Sequence, residues 1–586
     1  MRIDWQSLIP NPWFQLCALV AVLSGGTTIY NLTQHSERIG GGGATPPPTP
    51  PPINITTPPP APVLTAKARA YWVVDANGAA DSDSRDLHTV VANLVDGDSV
   101  TVRPGIYQGG FNVSKSVHFI GQGANPLATA IRSSVGDTIT VSGKNVSFEN
   151  LVIAMDSPGD QLHALHSVGA SHVELNRVLI DSKAIYGAMV IENASLDARD
   201  STFQTGRAGC GLDLENNAHG SLLRCALSSN RWGLQVINSA RAQATLCSFQ
   251  NNGTINGDGA IFWIQGARAR VDADRCQFTG NTTTLGVSES GSLSIVNSLF
   301  KDNGLTGEPG NVSSGVIGVS SGGKATLSKV TFESNKQGIS VKNGGSVTVS
   351  DCQISKTGIH TENVDFQYLS MAIFISGKGS SAIVNQGTTV SNSTTYGIYI
   401  VGGAQLTLDD ASVEGSGVDG LYVGDTSGGA TADVRRGKFD HNKIGIEFGF
   451  GSTGAIQDCQ LTANYACGLT LTGANTKVSL VNSEFRANKN FGLLISGLAE
   501  GQATGCLFDG SQIGAQVGLT ANPNQSATMS LNNCTITNNS IFGIATCVKS
   551  TMIYRDLHFS GNPKKKDVWR EQNSNVHEDF KSMLVK

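Results

Sequence analysis

Charge and aromatic rings are both scarce in this chain. Of 586 residues, 15% are Asp, Glu, Lys or Arg and 6% are Phe, Trp or Tyr, against 69 Gly. Low charge with abundant Gly, Ser, Thr and Asn fits an all-β repeat architecture. A net charge of −5 leaves no basic stripe for a phosphate backbone, which argues against nucleic acid as a partner. The one basic run, Lys564 to Lys566, lies in the last polar stretch and reads as a solvated tail. Cysteine never falls at the paired spacing of a zinc site. Seven of the eleven (Cys225, Cys247, Cys276, Cys352, Cys459, Cys506, Cys534) stand singly at one phase of a repeat, two residues before its large apolar position. That phase predicts a buried column of small apolar side chains. Cys225, Cys247 and Cys276 occupy consecutive coils, so stacking brings their Cα atoms within disulfide reach.

What the chain does have is a motif that returns every 22 to 24 residues. Its marker is a large apolar residue: Phe203, Leu227, Phe249, Phe278, Phe300, Phe332, Ile354, Val390, Val413, Phe439, Leu461, Phe485, Phe508, Ile536 and Phe559. Nine of the fourteen intervals are 22 to 24 residues and the others are longer, as in a coiled repeat with loop insertions. Each coil shows a Gly-apolar-x-apolar strand, such as Gly397-Ile398-Tyr399-Ile400. A second extended segment runs into the marker, as in Ala325-Thr326-Leu327 before Val330-Thr331-Phe332. No hairpin partner lies two to five residues away, so each strand must pair in parallel with its counterpart one coil on. Asn follows the marker by three residues at Asn230, Asn252, Asn281, Asn303, Asn335, Asn442, Asn464, Asn488, Asn539 and Asn562. Asn tolerates left-handed backbone and bonds neighbouring amides, which predicts a recurring sharp turn at these positions.

Residues 13–32 are the only apolar stretch long enough to consider for a bilayer, carrying no charge between Trp13 and Asn31 and flanked by Trp13 and Tyr30. They follow a short segment, 1–12, and are expected to anchor the chain in a membrane with the repeat outside the cytoplasm. The alternative is a cleaved signal segment and secretion. Residues 33–65 form a Gly- and Pro-rich linker holding ten of the 18 Pro between Pro46 and Pro62, an extended spacer. The repeat domain is assigned to 66–562, and 563–586 to a polar C-terminal tail or cap.

At the N-terminal end, Leu87, Val90, Val91 and Leu94 form a helical apolar face within Asp86 to Leu94. Asp98 to Gln108 follows, containing Pro104-Gly105-Ile106-Tyr107, and then Val117 to Gly123. At these residues the chain resembles the pectin-lyase-like superfamily, and the entry resembles that of pectinesterases. The resemblance implies an all-β, single-stranded right-handed parallel β-helix of roughly 16 coils with an N-terminal capping helix. It also implies engagement of a polysaccharide. The superfamily's catalytic signatures are missing: Asp-Phe-Ile-Phe-Gly, Asn-Thr-Asp, Gly-His-Gly and Asp-Pro-His-Asp are all absent, and Gln108 stands where pectinesterases commonly have Glu. No catalytic residue is carried over, and the sequence names no cofactor.

Candidate binding residues come from the outward position of the Gly-apolar-x-apolar strand: Met189, Asp213, Gln235, Ser340, Phe374, Tyr399, Tyr422, Glu447 and Thr470. Phe374, Tyr399 and Tyr422 are expected to form an exposed aromatic ladder on which sugar rings stack, with Glu447 as hydrogen-bond acceptor. Strand propensity alone also favours such runs. The longest interval, from Ile354 to Val390, places His360, Glu362, Asp365 and Tyr368 in an inserted loop leading into Phe374. These can serve as ligands, or as acid and base, and equally as a solvated loop. Asp156, Asp160, His163, His166 and His172 form a second cluster, with a His-x-x-His spacing that suits a divalent metal, although no metal is assigned on spacing alone. The expected function is an extracytoplasmic, membrane-tethered protein that binds an extended polysaccharide along one face. The alternatives are a lyase, hydrolase, esterase or epimerase of the same fold, and a non-catalytic rod or adhesin with a protein partner.

Overall fold

The computed structural model describes residues 71–578, apart from 255–258, 305–314, 359–369, 425–428, 520–525, 548 and 564–565. The expected anchor at 13–32, the linker at 33–65 and the loop bearing His360, Glu362, Asp365 and Tyr368 lie outside these residues. Among the described residues, no helix is long and apolar enough to cross a membrane.

The repeat is a right-handed parallel solenoid whose strands form three sheets of 21, 19 and 19 members. Each coil between the two ends contributes a strand to every sheet, the terminal strands Tyr71–Val74 and Asn575–Glu578 joining the first sheet alone, and every strand pairs with its counterpart one coil away. The segment running into the marker is two strands rather than one. In one coil Lys324–Ser328 belongs to the first sheet, Thr331–Glu333 to the second and Ile339–Lys342 to the third. Lys329 breaks the first from the second with a left-handed φ of 54°, and a residue of that conformation recurs at the same point in neighbouring coils, as at Leu246, Arg275 and Asp351.

About 20 coils form, more than the roughly 16 expected. Four members precede Phe203 in the marker row: Tyr107, Ile131, Ile153 and Ile180 are in register with one another and with Phe203. None has Asn three residues later, so they escape the motif. Strand pairing also runs past residue 562, through Val568–Arg570 and Asn575–Glu578. At ~4.8 Å per coil the stack is about 90 Å long.

The marker row fills the interior. Phe249, Phe278, Phe300 and Phe332 stack face to face with centroids 5.0, 4.2 and 4.9 Å apart. Each such contact adds roughly 0.5–1.5 kcal/mol beyond the area buried. The ten described cysteines are buried and none forms a disulfide, and the seven of the column are among them. In-register parallel strands hold equivalent Cβ atoms about 4.8 Å apart, beyond the roughly 3.5–4.5 Å of a disulfide.

The Asn row works differently from expectation. The left-handed residue is the one before each Asn, such as Ser229, Asn251, Asp302 and Ser334. The Asn side chains are buried and form a ladder. Asn230 Nδ2 donates to Asn252 Oδ1 at 3.2 Å, Asn252 to Asn281 at 3.0 Å, Asn281 to Asn303 at 2.8 Å and Asn303 to Asn335 at 2.9 Å. Each Nδ2 also satisfies a carbonyl of the preceding coil, such as Leu227 O from Asn252 at 2.9 Å. The row therefore pays for polar burial with complete pairing. It lapses at Thr357, Ser393 and Ser416, resumes at Asn442 and Asn464, the latter donating to Asn488 at 2.9 Å, and lapses once more at Ser511 before Asn539.

At the N-terminal end, Asp86 caps the helix Leu87–Val91 by accepting from the amides of His88 and Thr89, and Leu87 and Val90 are buried. Tyr107 of the Pro-Gly-x-Tyr entry is buried too. Its hydroxyl accepts from Ala76 N at 3.1 Å and donates to Arg103 O at 2.9 Å, tying the first turn to the stack.

Candidate binding face

The third sheet carries the functional candidates because of a local bulge. Its strands open with a slot that is usually Gly, and this residue drops out of the pairing register: Tyr396 pairs with Met371 and Ile398 with Ile373. A Cβ on Gly397 would meet Gly420 O at 2.6 Å, and one on Gly420 would meet Gly445 O at 2.6 Å. Gly at these two positions lets successive coils approach closely. The bulge also turns residues three apart to one side: the rings of Tyr396 and Tyr399 meet edge to face at 4.8 Å. Two rows thus run along the outer face.

The first row can be followed by register from Trp263 through Gly286, Gly318, Ser340, Phe374, Tyr399, Tyr422 and Glu447 to Thr470. The rings of Phe374 and Tyr399 stack at 6.0 Å and those of Tyr399 and Tyr422 at 4.8 Å. Lys342 Nζ stands 5.3 Å from the centre of the Phe374 ring, a cation–π contact. Burial lowers the pKa of that lysine to about 8. Trp263 is 39% exposed and leans over Gly286, whose Cβ position is 3.5 Å from its ring. From Trp263 to Phe374 the row spans four coil spacings, about 19 Å, over two glycines and a serine.

Further along, the same face holds buried acids. Glu447 is 4% exposed, and burial lifts its pKa to about 7 against the pull of Lys443. Asp419, in the second row, is pushed well above the usual carboxylate range by burial and then by the charge of Glu447. Among the described residues, Asp419 Oδ1 and Glu447 Oε1 have no hydrogen-bond partner. Burial thus disfavours the charged form of both carboxyls beside Tyr422, and each can donate a hydrogen bond when protonated.

The sequence profile of the right handed beta helix region matches residues 184–354 and 371–527, more than half of the chain. The chain belongs to the right-handed β-helix family. No curated protein matches it in sequence. Among solved structures, pectin methylesterase from carrot is similar at 12% identity and TM-score 0.25, covering 44% of this chain and 82% of that one. The periplasmic alginate epimerase AlgG is similar at 10% identity and TM-score 0.27, covering 84% and 83%. Pectate lyase Pel9A is similar at 15% identity and TM-score 0.24, covering 54% and 76%. These likenesses concern the fold.

Within this β-helix, the expected ladder is assembled in the right order and turned away from the core, but only part of it is open. Phe374 and Tyr399 are half-buried, whereas Tyr422 is 4% exposed and Glu447 is buried, so neither of these two is the exposed contact expected. Asp213, Ser340 and Thr470 of the same row are buried as well. His360, Glu362, Asp365 and Tyr368 lie outside the described residues. Trp263 and Asp419 were missed. Trp263 sits in Ala260–Gln265, a strand without the opening Gly, and Asp419 stands just before the Gly of its strand. Aligning the coils on the residue before that Gly reveals the second row.

The His cluster divides. Asp137, 26 residues before His163 and so invisible to spacing, accepts from His163 Nδ1 at 2.8 Å through Oδ1 and from His166 Nδ1 at 2.9 Å through Oδ2. Asp156 instead pairs with Arg132 at 2.8 Å, and His172 Nδ1 lies 2.8 Å from Ser195 Oγ. Asp160 is exposed.

Proposed function

We propose that this protein binds an extended polysaccharide along the outer row of its third sheet, between Trp263 and Tyr399. The carrying observation is the trough itself: a half-exposed indole at one end, stacked Phe374 and Tyr399 at the other, and Gly286 and Gly318 between them. Flat aromatic faces at both ends suit the apolar faces of sugar rings, and the small residues leave space for a chain to lie on the strands. Tyr396 borders the trough in the second row. The carboxyls of Asp419, in the coil of Tyr422, and of Glu447, one coil on, are buried under the same face. We further propose that residues 13–32 tether the β-helix to a membrane, outside the cytoplasm.

The test is retention of the purified protein on a panel of acidic and neutral polysaccharides, with mass spectrometry of each polymer afterwards. Trp263→Ala, Phe374→Ala and Tyr399→Ala should each weaken retention about tenfold, the effect of losing one stacking platform of about 1–1.5 kcal/mol. Retention that is equal in all three variants and the parent refutes the trough. The acid pair favours one second reading, an enzyme of this fold. Shortened, unsaturated or de-esterified products that vanish in Glu447→Gln would support it.

A further inference from the structure

Far from the trough, a second group of side chains on the same sheet has a built geometry that polysaccharide binding does not use. We propose that His163 and His166 bind a single divalent metal ion of the imidazole-preferring class, Zn2+ foremost, with Asp137 as the carboxylate that orients both rings.

The two histidines lie three apart in His163–Val168, a spacing that would ordinarily send them to opposite faces of a strand. Register pairs His163 with Tyr186 and Leu165 with Ala188, so Ala164 occupies the bulge slot that Gly187 fills one coil later. The bulge brings the two imidazoles together, stacked at 4.5 Å with a 28° tilt, and the Tyr186 ring covers His163 at 5.1 Å. Asp137 binds both from one side. Its Oδ1 accepts from His163 N at 3.0 Å as well as facing His163 Nδ1, and its Oδ2 faces His166 Nδ1. Donor atoms of the three residues lie within 4.8 Å of one another.

This arrangement fixes the tautomer. With each Nδ1 proton directed to the carboxylate, the lone pair of each ring sits on Nε2. His166 Nε2 is buried and has no hydrogen-bond partner among the described residues, a position that calls for a ligand. A carboxylate holding the far nitrogen of an imidazole is the usual outer support of a metal-bound histidine. Two nitrogens at about 2.0–2.1 Å from one ion are roughly 3.3 Å apart in a tetrahedral site, so binding requires the two stacked rings to splay about their bonds to Asp137 until both Nε2 lone pairs point at one ion. His166 and Asp137 are each about one-fifth exposed, which leaves an open side where water completes the coordination. Imidazole donors select Zn2+, Cu2+ or Ni2+ over Ca2+ and Mg2+.

Tag-free full-length protein, stripped with a chelator, is titrated with ZnCl2 by calorimetry and with CoCl2 by visible absorption, with CaCl2 as the contrasting ion. One equivalent of Zn2+ should bind, Co2+ should give a ligand-field band, and Ca2+ should give no saturable heat. Asp137→Asn, nearly isosteric, should weaken Zn2+ binding 10- to 100-fold. His166→Ala should abolish it, and His172→Ala, whose ring is held by Ser195, should leave it intact. Circular dichroism checks each variant, and if His166→Ala fails to fold, His166→Gln and Asp137→Asn carry the comparison. Absence of Zn2+ binding in the parent, or binding unchanged by substitution of Asp137 and His166, overturns the proposal.

Discussion

Replacing Asn252 by Ala is the sharpest test of how the coils are tied together. Asn252 Oδ1 accepts from Asn230 N at 3.1 Å and Asn230 Nδ2 at 3.2 Å, while its Nδ2 serves Leu227 O at 2.9 Å and Asn281 Oδ1 at 3.0 Å. Three of the four partners keep another bond: Asn230 Nδ2 retains Phe203 O, Asn281 Oδ1 retains the backbone N–H of residue 252, and Leu227 C=O, inside a paired strand, keeps its ladder partner. Only the Asn230 N–H is left buried and unpaired. Such a group costs about 1–3 kcal/mol, and that is the expected loss. Long repeat arrays do not always unfold in one step, so the loss is best read locally, by hydrogen exchange at the Asn230 amide. Exchange there should accelerate by more than tenfold, and the denaturation midpoint should fall. Ser142→Ala, which removes an exposed 3.2 Å bond to Asn112, should change stability by less than about 0.5 kcal/mol. An Asn252→Ala variant that behaves like Ser142→Ala would falsify the view that the ladder is a paired polar core.

Other outcomes follow from the same structure. Gly420→Ala, whose Cβ would press on Gly445 O at 2.6 Å and Asn442 Nδ2 at 2.9 Å, should cost about 1–3 kcal/mol in thermal or denaturant unfolding. Gly318→Ala, with nothing closer than 4.0 Å, should be tolerated. Burial raises the folded-state pKa of Glu447 to about 7, so its contribution is fully present below its unfolded value near 4.5 and is lost as pH rises to about 7. Glu447→Gln should therefore match the parent at pH 4 and exceed it at pH 8 by on the order of 3 kcal/mol at most, since Asp419 titrates with it. Equal stability profiles across that range would show that the carboxyl is solvated. Deleting residues 13–32 should release the protein from the membrane fraction of expressing cells; an unchanged distribution counts against the tether.

The fold was legible wherever a large side chain repeats. Phe249, Phe278, Phe300 and Phe332 announce a stack because only a parallel coil puts one Phe over another at that period. The first four coils were hidden because Tyr107, Ile131, Ile153 and Ile180 lack the companion Asn. The second sheet was hidden because three residues, such as Thr331–Glu333, are too few for an alternation to show. Asn was read as the turn itself, whereas the left-handed turn falls one residue earlier and accepts many side chains, Ser229, Ala463 and Ala487 among them. The site was less legible still. Alternation placed Tyr399 and Tyr422 outward correctly but says nothing of exposure. It also separates residues three apart, and so it concealed the meetings of Tyr396 with Tyr399 and of His163 with His166.

The lapse in the ladder has a mechanical side. Thr357, Ser393 and Ser416 stand in the very coils that carry Phe374, Tyr399 and Tyr422, and the amide cross-ties resume at Asn442, in the coil that holds Glu447. Ser416 is reached from beyond only by its backbone, whose N–H donates to Asn442 Oδ1 at 2.9 Å. A rod built this way is stiffer in the coils on either side of the aromatic ones than within them. Bending or shear would concentrate at the aromatic coils, where small changes of pitch could bring ring spacing into step with a ligand lying along them.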